Sequence, residues 1–471
     1  MPDGGLSGGQ SRIELGEMIV KPRERLLQVD TATLSIEPLV MQLLLALSQR
    51  AGQLVTRREL FIACWGANPV GDDSLNRLIS SLRKALRQLA GDSIRIETVP
   101  STGYILRLGA SGPRNGVTVD PGFEVKRAID AARDSWRLGL PEPDHLRLEQ
   151  LRRACALEPS NARVWGMLAL LSRHAAEYAE PTEAANYVQE CEIASRRATA
   201  VDPAQPEALT ALASVVPLFG QWTEARSRLE AVLEANPDHP VATQDLATLE
   251  MATGRVRTGK ALRDRLIARD PLAATFCYKS VYQHWSVGDL VGMDHVADRA
   301  IQLWPMHPAV WMVRFWTLAY TGRIAAALTM LDDRSVRPSV PSPALTFLRN
   351  VLVAIDTRAQ LQEAVDASIR LAGTGPANAI AALFALGLLD RPDEAFQVAE
   401  GYYLRVGADP VPVRHTKAEL SLNEQHRRLT QILFTPVFGN MRDNPRFMAI
   451  CDSIGLRRYW DENALTPDFL A

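Results

Sequence analysis

The sequence predicts a mainly α-helical protein, in which a small α+β domain precedes a solenoid of helical hairpins. Proline and glycine each recur every 34 residues in the middle of the chain, and the two series are offset by 17 residues. The series consist of Pro203, Pro237, Pro271 and Pro305, and of Gly220, Gly254, Gly288 and Gly322. The first 110 residues instead contain short alternating apolar segments between turn residues. No segment approaches the ~18 consecutive apolar residues of a membrane-spanning helix.

The 34-residue period is typical of tetratricopeptide-like repeats, each of which is one helical hairpin. Glycine readily adopts the left-handed conformation that ends a helix, and proline cannot continue a helix, so glycine lies within each hairpin and proline follows it. The predicted repeats begin at Ala162, Pro206, Pro240, Ala274, Pro308, Ser342 and Pro376. The repeat at Ala162 is ten residues longer, and we expect the insertion in the turn 176–183. A further hairpin from Lys126 to Pro159 gives seven or eight hairpins in the predicted solenoid, residues 123–420.

Residues 12–108 have the element order of a winged helix-turn-helix domain. Alternating segments in 12–36 predict a small antiparallel sheet, and the final segments 94–99 and 104–106 predict a hairpin. Between them, three helices are predicted: from Pro38 to a stop at Gly52, from the N-cap Thr56 to Trp65, and from Ser74 to Leu89. The remaining predicted segments are a disordered terminus at 1–11, a linker at 109–122 and capping helices at 421–471.

The third helix of this domain is amphipathic. Its apolar positions are Leu75, Leu78, Ile79, Leu82 and Leu86. Its other side carries basic, hydroxyl and amide groups of the kind that contact DNA phosphates and base edges in the major groove. The candidate DNA-binding residues are Ser74, Asn76, Arg77, Ser80, Ser81, Arg83, Lys84 and Arg87 on the helix, and Ser101, Thr102 and Tyr104 in the wing. For an isolated helix, a merely solvated face would explain the same pattern; the complete winged-helix pattern favours DNA binding.

Three motifs resemble those of OmpR/PhoB-type winged-helix regulators. They are residues 73–86 (DSLNRLISSLRKAL), similar to the recognition helix, residues 98–104 (TVPSTGY), similar to the wing, and residues 56–66, similar to the second helix and its loop. The resemblance implies that helix 74–89 enters the major groove, that the wing contacts the adjacent minor groove or backbone, and that loop 66–73 contacts RNA polymerase.

The chain also departs from that family. The wing turn at 100–102 has no basic residue, and Ser80 and Ser81 occupy positions that are often basic. Fewer cations weaken phosphate binding, which favours binding as a homodimer or to tandem sites. No phosphoacceptor receiver segment precedes the winged helix in this sequence.

The order of domains resembles cytoplasmic relatives of the CadC and HilA regulators, without a membrane helix. It implies a bacterial transcription regulator that binds double-stranded promoter DNA, while its repeats bind a protein, peptide or small molecule or mediate self-association. The alternative is a protein–protein scaffold with a vestigial winged helix.

The inner face of the repeats carries an aromatic cluster at consensus positions that tend to line the concave side. The cluster consists of the aromatic residues Tyr278, Tyr282, Trp285 and Trp316, together with Met312. Such a cluster suits a peptide or an apolar small molecule. Packing between repeats is the simpler interpretation, and we favour it.

No enzymatic or metal-binding chemistry is predicted. The sequence contains no phosphate-binding loop, nucleophile elbow or HExxH motif, and its eight histidines are dispersed. The five cysteines lack CxxC spacing, which predicts free thiols in a reducing cytoplasm. The net charge of −2 argues against nucleic-acid or membrane binding along the whole chain, and we expect no cofactor.

Overall fold

Two separate compact units make up the chain, residues 1–118 and 119–471. The computed structural model describes residues 13–22, 24, 26–29, 32–48, 50–65, 72–91, 93–99, 103–108, 121–179, 181–215, 220–334, 337–407 and 430–471. The predicted N-terminal segment 1–11 and most of the predicted linker lie outside these residues.

The first unit begins with a four-stranded antiparallel sheet of order β1-β2-β3-β4. Its strands are β1 (Ile13–Leu15), β2 (Met18–Lys21), β3 (Leu26–Val29) and β4 (Ala32–Ser35). The helices α1 (Pro38–Ser48), α2 (Arg57–Trp65) and α3 (Asp72–Ala90) follow. The wing consists of β6 (Ile94–Val99) and β7 (Gly103–Leu108), and β7 also pairs with β5 (Leu54–Thr56). The predicted sheet, three helices and hairpin are therefore all present.

The strand β5 was not predicted, although its β-branched pair Val55–Thr56 suits a strand. It brings the backbone of α2 close to the wing. A Cβ atom at Gly103 would lie 2.1 Å from the carbonyl oxygen of Val55. Only glycine therefore permits this close pairing of β5 with β7.

Eight helical hairpins make up the described part of the second unit as far as residue 404. They are α4/α5 (Pro121–Leu138, His145–Leu157), α6/α7 (Ala162–Tyr178, Pro181–Val201), α8/α9 (Pro206–Ser214, Trp222–Ala235), α10/α11 (Pro240–Ala252, Val256–Arg269), α12/α13 (Ala274–Ser286, Leu290–Leu303), α14/α15 (Pro308–Tyr320, Ile324–Asp332), α16/α17 (Ser342–Thr357, Leu361–Ala372) and α18/α19 (Pro376–Leu388, Pro392–Leu404). All seven predicted repeat starts coincide with the first residue of a helix.

The two residue series occupy the predicted positions. The four glycines have φ between 74° and 84°, which is the left-handed conformation expected after the first helix of each hairpin. The four prolines each stand two residues after the end of the second helix. The predicted place of the ten extra residues was wrong: α6 and α7 have 17 and 21 residues, and only residues 179 and 180 separate them. The insertion lengthens the helices because their added residues are apolar or helix-forming.

The described part of the C-terminal segment, residues 430–471, contains two α-helices, α20 (Pro445–Ser453) and α21 (Leu456–Glu462), between short 3₁₀ turns. Asn444 caps α20 and Gly455 has φ 78°, as the sequence predicts. Helix α20 packs against α19, the last helix of the stack, while α21 packs against α9 and the turn 430–434 packs against α10. The segment therefore does more than cap one end of the stack, because it returns to the third and fourth hairpins.

Candidate nucleic-acid interface

Helix α3 presents one buried and one exposed face in the winged-helix unit. The buried residues are Leu75, Leu78, Ile79, Leu82, Ala85 and Leu86, which pack in the core of the unit. The exposed residues are Asn76, Arg77, Ser80, Ser81, Lys84 and Arg87. The predicted division of the helix into an apolar and a polar-basic face is thus observed. Ser101 and Thr102 lie outside the described residues, as does the side chain of Ser74.

The exposed cations of α3 have no acidic partner. Arg77, Lys84 and Arg87 form no ion pair or hydrogen bond with any residue that the structure describes. Their positions, three and seven residues apart, place them along one side of the helix. Since no described residue neutralises them, this side of α3 is a stripe of positive charge interrupted by the short side chains of Ser80 and Ser81. Such a surface attracts phosphate.

Arg83 differs from these three cations because it is only half-exposed and forms hydrogen bonds within the unit. Its Nε and Nη2 atoms donate to the carbonyl oxygen of Ile96 at 3.2 and 2.9 Å, and Nη2 also donates to Thr98 Oγ1 at 2.6 Å. Its guanidinium lies 5.9 Å from the ring centre of Tyr104. The side chain therefore joins α3 to β6 and positions the wing, while its direct contact with DNA stays a prediction.

Replacement of Arg83 should therefore reduce stability as well as DNA binding. We expect Arg83→Ala to lower the free energy of unfolding of the winged-helix unit by about 1–3 kcal/mol, because three hydrogen bonds from a charged donor are lost. Chemical denaturation, followed by a spectroscopic signal from residues 1–118, measures this loss. Arg87→Ala, which removes the same charge from an exposed site, should change stability by less than about 0.5 kcal/mol. Equal stability of the two variants would contradict the positioning role.

Tyr104 is also placed differently from the prediction. Its side chain is only 4% exposed, so the ring cannot lie on the DNA-binding surface. Its hydroxyl accepts a hydrogen bond from Arg57 Nη1 at 2.8 Å and donates one to Asn76 Oδ1 at 3.1 Å. Arg57 Nη2 donates to the same oxygen of Asn76 at 3.1 Å. Tyr104 thus connects the wing to the first turns of α2 and α3.

This network fixes the orientation of the Asn76 amide. Both lone pairs of its Oδ1 atom are occupied, so its exposed NH₂ group is the part that remains for a ligand. The sequence analysis did not identify Arg57 as part of this interface. Its only sequence signal was its place at the start of α2, next to Thr56, whose hydroxyl and backbone exchange hydrogen bonds with Glu59 in a capping box.

The predicted aromatic ligand face of the repeats is largely packed. Trp285 and Trp316 are 3% and 2% exposed, and Phe384 of α18 covers both of them, with its ring centre 6.4 and 5.0 Å from theirs. The prediction of a ligand face is therefore wrong at these two tryptophans, where the favoured packing interpretation applies. The packing arises because α18 folds back onto α14, where Tyr320 donates to the carbonyl oxygen of Phe384 at 2.7 Å.

The other three residues of that face remain half-buried. Tyr278 lies against the turn after α4, 3.5 Å from the carbonyl oxygen of Gly139, and Tyr282 has its ring centre 6.2 Å from that of Phe384. Met312 packs at the edge of the same core. Tyr278 and Tyr282 therefore keep some surface that a ligand can reach.

Neither metal-ligand groups nor membrane-spanning helices are found in the described part of the chain. No three or more His, Cys, Asp or Glu side chains there are arranged to hold a metal ion. None of the described helices combines the length and the apolar character needed to cross a bilayer.

Two family models match the chain, one in each unit. Residues 31–106 match the model described as "Transcriptional regulatory protein, C terminal", and residues 219–274 match a tetratricopeptide repeat model. The first unit is therefore an OmpR/PhoB-type winged-helix domain, and the second contains tetratricopeptide repeats.

The winged-helix unit is also similar to a characterised protein. Over 98 residues it is 33% identical to the transcriptional activator CadC of Escherichia coli K12, a match that covers 21% of this chain and 19% of CadC. The chain therefore spans about a fifth of the length of that relative. The solved DNA-binding domain of E. coli CadC is 31% identical, with 21% of this chain and 95% of that one covered and a TM-score of 0.20.

A solved tetratricopeptide repeat protein from Parabacteroides merdae is similar to the repeats. It is 17% identical, with 52% of this chain and 90% of that chain covered and a TM-score of 0.32.

Proposed function

We propose that this protein is a bacterial transcription regulator, in which α3 of the winged helix binds promoter DNA and the repeats control that binding. The observation that carries the proposal is the uncompensated positive stripe of α3, formed by Arg77, Lys84 and Arg87 on a winged-helix domain of the transcriptional regulatory family. The stripe supplies phosphate contacts. Ser80 and Ser81 between its cations, and Asn76 beside Arg77, have side chains short enough to approach base edges.

The repeats supply the regulatory half of the proposal. Tetratricopeptide stacks present extended surfaces to other molecules, so we assign them a protein, peptide or small-molecule partner, or self-association. Three cations of α3 have no partner among the described residues, so one monomer makes few phosphate contacts, and binding as a homodimer or at tandem sites would increase affinity. Contact of loop 66–73 with RNA polymerase, a cytoplasmic location and the absence of catalytic activity belong to the same proposal.

Selection of genomic fragments tests the DNA-binding half directly. Purified full-length protein is incubated with fragments of the genome of origin, and bound fragments are sequenced. A shared motif upstream of genes is the expected result. If neither the full-length chain nor residues 1–118 enriches any motif, the proposal fails and the scaffold alternative, in which the winged helix is vestigial, takes its place.

The fixed amide of Asn76 predicts a specific sequence preference. An asparagine that reads adenine uses its oxygen and its NH₂ group together, a pair worth ~1–3 kcal/mol of discrimination. In this protein the oxygen is occupied, so Asn76 should favour a base or phosphate that only accepts hydrogen bonds. Tyr104→Phe frees one lone pair of that oxygen and should increase adenine at one position of the selected motif.

The matched variant is Asn76→Ala, which should abolish any preference at that same position. Circular dichroism establishes that both variants are folded. An unchanged motif in both variants would show that Asn76 does not face a base.

A further inference from the structure

A cluster of charged side chains lies on the inner face of the repeats, apart from the aromatic packing around Phe384. It contains Arg173 and Glu177 of α6, Asp245 of α10 and Lys279 of α12. Arg263 of α11 lies next to it. Three of the contributing helices, α6, α10 and α12, are the first helices of their hairpins. Arg173 and Asp245 are two hairpins apart in sequence, yet their side chains approach to 3.8 Å.

Two cations of this cluster have unused hydrogen-bond donors. Lys279 forms no hydrogen bond or ion pair with any described residue. Arg173 lies 3.4 Å from Glu177 and 3.8 Å from Asp245, but the geometry of neither contact is that of a hydrogen bond. Its buried Nε atom has no acceptor among the described residues. Buried donors of charged groups are normally satisfied, so an acceptor that enters here would meet several of them at once.

The cluster also carries an excess of positive charge. Arg263 is 1% exposed, and its acceptors among the described residues are all neutral: the side-chain oxygens of Gln244, Thr248 and Gln283. Asp245 is shared between Arg173 and the hydroxyl of Ser214. Three cations therefore stand against two carboxylates, and the low dielectric of the interior makes a monoanion the favourable complement.

Lys279 and the tyrosines Tyr278 and Tyr282 lie within about one turn of each other on α12, next to the charged cluster. Tyr278, Lys279 and Tyr282 are all half-buried, so each retains accessible surface. The protein nevertheless surrounds them closely: burial, followed by the nearby Arg263 guanidinium, lowers the pKa of Lys279 to about 8, and burial raises the pKa of both phenols. Each of the three side chains thus combines some accessible surface with strong desolvation, as the polar groups of a ligand site do.

We propose that the inner face of the repeats binds a small organic carboxylate. Lys279 and Arg173 donate hydrogen bonds to the carboxylate oxygens, and the apolar part of the ligand lies on Tyr278 and Tyr282. Charged donors to a carboxylate make short, strong hydrogen bonds, and the ligand charge balances the excess positive charge. This assignment rests on the sensing half of the proposed function and is independent of whether α3 binds DNA.

Calorimetric titration of the full-length protein tests the ligand class. The probes are benzoate and phenylacetate, the neutral isostere benzamide, and phenyl phosphate with inorganic phosphate. We expect the two carboxylates to bind and benzamide not to bind. The proposal is overturned if no carboxylate binds, if benzamide binds as tightly as benzoate, or if the phosphates bind and the carboxylates do not.

A pair of lysine variants locates the binding. Lys279→Met removes the charge but keeps the length of the side chain, and it should weaken benzoate binding about 10- to 100-fold, the effect of one hydrogen bond from a charged donor. Lys260→Met removes the same charge from α11, where Lys260 pairs with Asp264, and should leave the affinity unchanged. Equal binding by folded Lys279→Met and wild type would contradict the proposal.

Two further measurements keep the outcomes distinct. If Lys279→Met does not fold, as judged by circular dichroism, the comparison of benzoate with benzamide on the wild-type protein decides alone. Selection of genomic DNA fragments with the same preparation separates the carboxylate-binding hypothesis from the DNA-binding hypothesis. DNA binding without carboxylate binding rejects only this inference. Carboxylate binding without DNA binding rejects only the DNA-binding half of the proposed function.

Discussion

Simultaneous replacement of Arg77, Lys84 and Arg87 by alanine should nearly abolish DNA binding. These are the three α3 cations that have no partner in the described residues, so their charge remains available to phosphates. We expect a loss of roughly 2–5 kcal/mol in binding free energy at low salt. The dependence of log K on log salt concentration should become shallower by about three, one for each lost contact. Fluorescence anisotropy with a selected fragment at several salt concentrations measures both quantities.

The control removes the same charge from the second unit. The side chains of Arg153, Arg196 and Arg458 are 67%, 66% and 70% exposed on helices of that unit. Among the described residues, each pairs with one glutamate on its own helix. Their triple alanine variant should change the affinity only slightly, through the altered net charge. If the two triple variants lose the same affinity, the α3 stripe is not the DNA-binding surface.

Trp460→Ala should be the most destabilising single change in the C-terminal segment. The indole is 4% exposed, packs near Phe434 and Phe469, and donates through Nε1 to the carbonyl oxygen of Thr253 at 2.8 Å. Truncation of a buried tryptophan costs about 3–5 kcal/mol, since it leaves a cavity and an unpaired carbonyl. Chemical denaturation of the full-length protein, followed by circular dichroism, measures the effect on the repeats.

The neighbouring residue Arg458 supplies the comparison for this prediction. Arg458→Ala alters an exposed side chain on the same short helix and should cost less than about 0.5 kcal/mol. If Trp460→Ala were as stable as Arg458→Ala, the return of the C-terminal segment to α10 would contribute nothing to the stability of the repeats.

Local sequence signals predicted the helices and strands well. The repeat starts and the left-handed glycines follow from rules that involve a few neighbouring residues, such as the exclusion of proline from helix interiors. The polar face of α3 could likewise be read from its helical spacing. The ten extra residues of the second hairpin were predicted to lie in its turn, but they lengthen its helices. The residue count alone could not distinguish the two, because added turns of helix and an added loop give the same count.

Side-chain partners distant in sequence were not predictable in the same way. Arg83, Lys84 and Arg87 have the same chemical character in the sequence, yet only Arg83 meets the backbone of β6, because the wing folds against that side of α3. Trp285 and Trp316 occupy positions that usually line the concave face of such repeats, but the return of α18 places Phe384 against both of them. Such contacts depend on the curvature of the whole stack, which no single repeat encodes.

The contacts between distant hairpins also affect how the second unit folds. In a simple repeat array each hairpin touches only its neighbours, so folding can start anywhere and ends can unravel independently. Here Arg137 at the end of α4 forms a bidentate ion pair with Asp270, and Trp222 Nε1 donates to the carbonyl oxygen of Ile454, 232 positions away. These links close long loops, which raises the contact order and slows folding. Unfolding of the hairpins at either end also removes contacts of the middle hairpins and destabilises them. The hairpins are therefore coupled into one cooperative unit instead of a chain of independent ones.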